Sequence, residues 1–274
     1  MLNPKITLIV AVFNAAKTLQ RCIDSIVQQT YLNKELIVMD GCSTDGSVDI
    51  LSRNAQHLAY WESTPDSGIY HAWNKALEYA TGDWVLFLGA DDYLWSSDVL
   101  AEVSSRLTLD HKVAYGQIAS VDENDDLLEI VGMPWAKAKR RLLVEMTLPH
   151  TAMFHHRALF AQGGFDQSFR IAGDYEMVIR ALRNEEPLFL EGIIVAGMQQ
   201  GGLSSTPALS LRTHQEFRRA RLQNGMTGTN PGWLWCSFKA WTKLVLHRGV
   251  GDGMTRSLID AYRRVTQRQA IWRR

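Results

Sequence analysis

Cysteine is scarce. The 274 residues hold three, Cys22, Cys42 and Cys236, far apart and without the paired spacing of a disulfide framework or a cysteine zinc site. A reducing, cytosolic setting is the expectation. Although 46% of the residues are hydrophobic, no apolar run reaches the ~18 residues of a membrane-spanning helix. The start, Met1-Leu2-Asn3-Pro4-Lys5-Ile6, lacks a basic leader, a long apolar stretch and a small-residue cleavage site, so a secretory signal is not expected. There is no Gly-x-x-x-x-Gly-Lys-Ser/Thr loop and no Gly-x-Gly-x-x-Gly after the first apolar run, which weighs against a P-loop NTPase and a nicotinamide dehydrogenase. Val12-Phe13-Asn14-Ala15 also lacks the glycines of a sugar nucleotidyltransferase first loop.

Net charge is absent as well, but only in sum. Residues 1–211 hold 16 Lys+Arg against 26 Asp+Glu, and residues 212–274 hold 13 against 3. An acidic body is followed by a basic tail, a split that points the tail at an anionic partner.

What is present alternates between strand and helix. Ile6 to Val12 is a continuous β-rich run, after which Leu19, Cys22, Ile23, Ile26 and Val27 recur at helical spacing. Glu35 to Asp40 predicts a second strand, followed by a polar turn and a helix from about Ser47 to Asn54. A third short strand near His57–Trp61 leads through Pro65-Asp66-Ser67-Gly68 to a helix with Ile69, Trp73, Ala76, Leu77 and Ala80 on one face. A buried strand from Trp84, a helix over roughly Ser97–Leu107 and a strand Val113–Gln117 complete a doubly wound half with a parallel sheet. Asp122-Glu123-Asn124-Asp125-Asp126 reads as a solvated hairpin turn. Helical spacing returns at Arg157–Ala161 and Tyr175–Leu182.

Acidic residues end several of these strands. Asp40, Asp66 and the pair Asp91-Asp92 follow separate elements whose ends converge in a parallel sheet, so they line one crevice. Asp91-Asp92 is either a hard-cation and diphosphate site or an Asp-rich turn. Asp40 either hydrogen-bonds a base or ribose or caps Gly41–Ser43; Lys75 meets a phosphate or is a lone surface lysine.

Four motifs in order carry a resemblance: Val10-Ala11-Val12-Phe13-Asn14; Val38-Met39-Asp40-Gly41-Cys42-Ser43-Thr44-Asp45-Gly46; Pro65-Asp66-Ser67-Gly68-Ile69-Tyr70-His71-Ala72-Trp73-Asn74-Lys75; and Ala80-Thr81-Gly82-Asp83 leading into Gly89-Ala90-Asp91-Asp92. Together they resemble family-2 glycosyltransferases of the GT-A fold, over roughly residues 4–205, and most closely bacterial members that build exopolysaccharide, colanic-acid-like or O-antigen chains. The resemblance implies an α/β, Rossmann-like, mostly parallel sheet flanked by helices over residues 1–210, with a basic, Trp-rich helical extension over 211–274. It implies inverting hexosyl transfer by direct displacement from a nucleotide sugar, most often UDP-linked, to a saccharide or lipid-linked saccharide, with Mn²⁺ or Mg²⁺ as cofactor. Val12, Asn14, Asp40, Asp66, Lys75, Ala90 and Asp91 match the donor pocket, and Asp91 or Asp92 matches the metal-binding end of the family's Asp-x-Asp motif. If the register is Gly89-Ala90-Asp91, Gly89 stands where that motif has its first Asp, which leaves a ribose contact unfilled and bears on metal binding. A non-catalytic nucleotide-sugar-binding scaffold of the same fold is the alternative.

The family's base belongs to a late Glu-Asp motif, matched best by Gly173-Asp174-Tyr175-Glu176. Asp174 is thus the expected general base, and helix capping is compatible with that role. His150, in Leu148-Pro149-His150-Thr151, is a candidate donor or acceptor contact, whereas His155 and His156 read as structural or exposed. Gln199-Gln200-Gly201-Gly202-Leu203-Ser204-Ser205 resembles the family's flexible segment over the diphosphate.

In the tail, Lys239, Lys243 and His247 lie four apart among Trp233, Trp235, Phe238, Trp241 and leucines, with further arginines at 248, 256, 263, 264, 268, 273 and 274. This patterns a helix lying in an anionic membrane interface. Packing of the Trp face on the body is the rival reading, and nucleic acid is disfavoured by the acidic body. A peripheral position on the inner face of the cytoplasmic membrane, in cell-surface polysaccharide biosynthesis, is the resulting expectation.

Overall fold

The computed structural model describes residues 3–122, 125–161, 163–199, 209–226 and 231–265. β1 (Ile6–Val12), α1 (Leu19–Val27), β2 (Lys34–Asp40), α2 (Ser47–Asn54), β3 (Tyr60–Ser63), α3 (Ile69–Leu77) and β4 (Trp84–Gly89) follow the expected strand–helix alternation. Then come β5 (Tyr93–Leu94), α4 (Val99–Ser104), β6 (Val113–Val121), β7 (Leu127–Val131), α5 (Trp135–Leu142), β8 (Met153–His156), α6 (Gly173–Ala181) and β9 (Leu188–Gln199). Two helices close the described chain, α7 (Ser210–Gln223) and α8 (Pro231–Val265).

Among the described residues the strands form one sheet in the order β3-β2-β1-β4-β8-β6-β9-β5, with β7 paired to β6. The ladders β3/β2, β2/β1 and β1/β4 are parallel. Beyond β4 the direction alternates: β8 runs antiparallel to both β4 and β6, β9 is parallel to β6, and β5 is antiparallel to β9. The acidic stretch after Val121 turns the chain into the antiparallel β6–β7 hairpin, as expected.

The parallel strands read as unbroken apolar runs because both faces are covered. On one face Leu8, Val10 and Val12 meet Leu19, Cys22, Ile23 and Ile26 of α1, together with residues of α2 and α4. On the other, Ile9, Ile37, Met39, Val85 and Phe87 meet Tyr70 and Trp73 of α3 and Tyr175, Val178 and Ile179 of α6.

Several boundaries differ from the sequence expectation. A 3-10 turn, Ala55–His57, takes up the start of the third strand, so β3 begins at Tyr60 and pairs its four residues with Ile37–Asp40. Arg157–Phe160 is likewise a 3-10 turn, and the helix expected over Ser97–Leu107 is confined to α4. In α3 the expected face packs inward at Trp73 and Ala76, with Leu77 and Ala80 against the same core, but Ile69 is exposed and Tyr70 is buried in addition. Tyr70 turns inward because its hydroxyl reaches Ile171 O at 2.7 Å across the domain.

Register places the site. Val12 lies opposite Asp40, and Ala11 lies opposite both Met39 and Gly89. The carboxyl ends of β1, β2 and β4 therefore meet at one edge, where open α/β sheets bind ligands.

Candidate active site

At that edge Asp40 is buried and fully engaged: the Ser43 N–H and hydroxyl donate to its two oxygens, and the Ser63 hydroxyl donates at 2.6 Å. The capping alternative thus describes its contacts in this structure. Asn14, at φ +50°, accepts from Thr44 N–H at 2.9 Å and donates its own N–H to the Ser43 hydroxyl at 2.8 Å. These bonds lace the loop after β1 to the loop after β2. Asp66 accepts from Gly68 N–H at 2.8 Å, and its other oxygen lies against Gly41. Val12, Asn14, Asp40 and Asp66 are thereby brought together, with Val12 buried. Lys75 is not drawn into this group. It pairs with Glu62 and donates to the Thr64 hydroxyl at the β3 side of the edge.

After β4 the chain turns tightly, Asp92 N–H donating to Gly89 O at 3.1 Å. Asp92 is buried, accepts from Gly89 N–H at 2.9 Å and lies 3.4 Å from the Thr151 hydroxyl. Burial first, and the charge of neighbouring Asp91 second, push the Asp92 carboxyl up to about 7. Asp91 is exposed and Ala90 buried. A Cβ at Gly89 would stand 2.6 Å from Asp91 Oδ1 and 3.1 Å from Asp92 Oδ2, so glycine leaves the space into which both carboxylates fold. Arg21 of α1 closes the back of the turn, donating to Asp91 O at 3.3 Å, pairing with Asp125 of the hairpin and lying over the Tyr93 ring.

Among the described residues no three His, Cys, Asp or Glu side chains gather into a cation cage. The Asp91-Asp92 pair nevertheless fits Mn²⁺ or Mg²⁺. Such ions take one or two carboxylates and complete their shell with water and substrate phosphates. Adjacent carboxylates that resist joint ionisation are a fitting donor set for a divalent charge.

His150 opens a 3-10 turn (His150–Ala152) and belongs to the same corner through Thr151. Its ring stacks on Trp73 at 5.2 Å and Phe87 at 5.8 Å, with His155 5.1 Å away. Burial, and then His155, hold it well below the usual histidine range, so it is a neutral imidazole. Its Nε2 has no hydrogen-bond partner among the described residues. His155 is wholly buried in this aromatic cluster and His156 partly so.

Asp174 stands in the first turn of α6; the N-cap is Ala172, which brings no side-chain acceptor. Burial pushes its carboxyl up to about 6, against backbone N–H donors at the helix start and the Tyr70 hydroxyl at 3.2 Å. A Cβ at Gly173 would meet the Tyr70 ring at 2.8–2.9 Å, so glycine lets that ring approach the base. Tyr70 packs edge-on against Trp73, and Trp73 stacks on His150, so an aromatic chain runs from Asp174 to the Asp92 corner.

Tyr70 and Thr151 lie within the quoted motifs, yet nothing in the motifs alone assigns either a role. Of the segment Gln199–Ser205, all but Gln199 lies outside the described residues.

Comparison with known proteins completes the picture. The profile of Glycosyl transferase family 2 matches residues 7–167. A PGL/p-HBAD biosynthesis glycosyltransferase from Mycobacterium bovis (strain BCG / Pasteur 1173P2) is 32% identical over 217 residues, covering 75% of this chain and 81% of that one. The chain belongs to glycosyl transferase family 2. Its fold is GT-A, superposing on S. aureus TarS 1-349 in complex with UDP with a TM-score of 0.64 at 18% identity, over 94% of this chain and 78% of that one. The mannosyltransferase PcManGT from Pyrobaculum calidifontis, in complex with GDP-Man and Mn²⁺, gives 0.62 at 20% identity, over 96% and 81%. The protein is a glycosyltransferase.

Proposed function

We propose that this glycosyltransferase moves a sugar from a UDP-sugar to a saccharide or polyprenyl-linked saccharide, inverting the anomeric carbon, with Asp174 as general base. The observation that carries the reading is Asp174 itself, raised to about 6 at the head of α6 and hydrogen-bonded by Tyr70. An acceptor hydroxyl must lose its proton as it attacks the sugar, and a carboxylate near that value is ionised at neutral pH yet still basic enough to take it. Polar groups at the edge supply the donor side: the carboxylates Asp40 and Asp66 and the amide of Asn14 shape the nucleoside end with Val12 and Ala90, and Lys75 flanks it. Asp91 and Asp92 are the residues that would hold Mn²⁺ or Mg²⁺, which when bound supplies positive charge to the departing diphosphate. Nucleotide-sugar donors in the structural neighbours support this assignment. The neutral His150 of the Asp92 corner serves the donor or acceptor.

The division into a catalytic unit, 1–210, and an extension, 211–274, is part of this reading. Along α8, Leu234, Trp235, Phe238, Trp241 and Val245 are exposed at helical spacing, beside exposed Lys239, Lys243 and Arg248. Trp233 instead packs on His214 and Arg218 of α7. No described helix is long and apolar enough to cross a membrane. An apolar, aromatic face bordered by cations suits the anionic inner surface of the cytoplasmic membrane, where a lipid-linked acceptor for polysaccharide assembly resides.

Calorimetric titration of UDP and GDP with and without Mn²⁺, followed by nucleotide-release assays over a panel of sugar donors, tests the reading. Asp174→Asn is expected to keep UDP affinity while turnover falls by about 10²–10⁴-fold. Full turnover in that variant would remove Asp174 as base, and metal-independent binding would remove the cation from the donor site.

A further inference from the structure

We propose that Glu216, on α7, is a positioning residue for Asp174, so that a carboxylate beyond the 1–210 unit completes the active site; this rests on the reading of Asp174 as base. Glu216 is 8% exposed. Its Oε2 accepts from the backbone N–H groups of Ile171 at 2.8 Å, Ala172 at 3.0 Å and Arg170 at 3.1 Å, and Oε1 lies 3.2 Å from the same Arg170 N–H. Three successive donors immediately before α6 thus converge on one side chain from another helix. Ala172, the N-cap of α6, offers them no side-chain acceptor of its own.

The same peptides are held from the other side. Tyr70 Oη donates to Ile171 O at 2.7 Å and lies 3.2 Å from Asp174 Oδ1. Ile171 is therefore clamped at its N–H by α7 and at its carbonyl by α3, and the α3 clamp also touches the base. A loop fixed at both polar groups aims the first turn of α6, and a base out of place by an ångström loses much of its effect. Burial opposes charge on Glu216, but the N–H donors of Ile171, Ala172 and Arg170 outweigh it and hold the carboxyl below its usual range, so the clamp is an anion. Tyr70 from α3 and Glu216 from α7 face Asp174, with Arg212 beside Glu216 on its exposed flank.

Glu216→Gln keeps the shape and one acceptor oxygen but removes the charge. In the full chain, the Asp174 carboxyl followed by ¹³C NMR titration should fall by roughly half a unit as its anionic neighbour is lost. Amide hydrogen exchange over 170–176 should quicken, and kcat for whichever donor the wild type turns over should fall roughly ten- to hundred-fold with donor KM little changed. Glu216→Asp, which keeps the charge and shortens the reach, should hold the Asp174 titration near the wild type while lowering kcat; it also serves if the glutamine variant does not fold. An unmoved Asp174 titration with unchanged exchange at 170–176 in folded Glu216→Gln would overturn the proposal. Asp174→Asn is the separating control: retained turnover there condemns the base assignment, while the titration and exchange data still judge the clamp.

Discussion

Replacing Gly89 by alanine puts a methyl group into the space that Asp91 and Asp92 occupy, so one carboxylate must swing away. If the pair holds the cation, Gly89→Ala should weaken Mn²⁺-dependent UDP binding by about tenfold, or about 1.4 kcal/mol, while binding without the cation changes little; titration calorimetry reads both. Tyr70→Phe removes a hydroxyl that favours the ionised form of Asp174. The carboxyl then rises above about 6, and the acidic limb of the rate profile should move to higher pH, with kcat at pH 7 lowered by roughly twofold and more steeply below it. The sign follows from the base acting only when deprotonated. A pH–rate profile of wild type and variant checks it. Much of this site was legible in the chain: Asp40, Asp66, Asp91-Asp92 and Asp174 each follow a strand or open a helix within an ordered set of motifs. Lys75's partner was not, because Glu62 lies on a strand whose start the sequence placed three residues early. Tyr70's task was hidden too, since its partners stand 101 and 104 residues away.

At the scale of elements, the parallel strands could be read because burial on both faces leaves them apolar throughout, and α1 because its buried residues recur at helical spacing. The second half of the sheet resisted, for β8, β6, β9 and β5 alternate in direction through pairings that no local pattern encodes. The helical extension comprises two helices, α7 packed on the body and α8, bent at Gly251, whose φ of 79° and ψ of 172° interrupt the helix. Trp233 lies against α7, within the extension itself, whereas Trp235, Phe238 and Trp241 are open to solvent. Trp235→Ser/Trp241→Ser should therefore lower binding to vesicles rich in anionic lipid by at least roughly tenfold, measured by co-sedimentation, and leave UDP binding intact. Unchanged co-sedimentation would take the membrane role away from this face.

For the whole molecule, the charge division matters more than its zero sum: a body with ten excess negative charges carries a tail with ten excess positive ones. If α8 docks on an anionic bilayer as proposed, the same surface repels the acidic body, so the docking of α8 rather than adhesion of the body sets how the molecule lies on it. Vesicle association should weaken steeply as salt rises from about 0.1 M to about 1 M, where the screening length shrinks from about 10 Å to about 3 Å. Nucleotide binding measured in parallel should hold. The loop before α6 has one more implication, concerning the order in which the protein is made. Its amide donors wait for a carboxylate 44 to 46 residues further along the chain. At about 5–20 residues per second of translation, that is an interval of several seconds in which a nascent polypeptide already carries Asp174, the proposed base, but not the carboxylate that holds the loop before it. On the proposal above, an interrupted product ending before α7 lacks the carboxylate that aims Asp174, so full turnover is expected only of chains whose synthesis has passed Glu216.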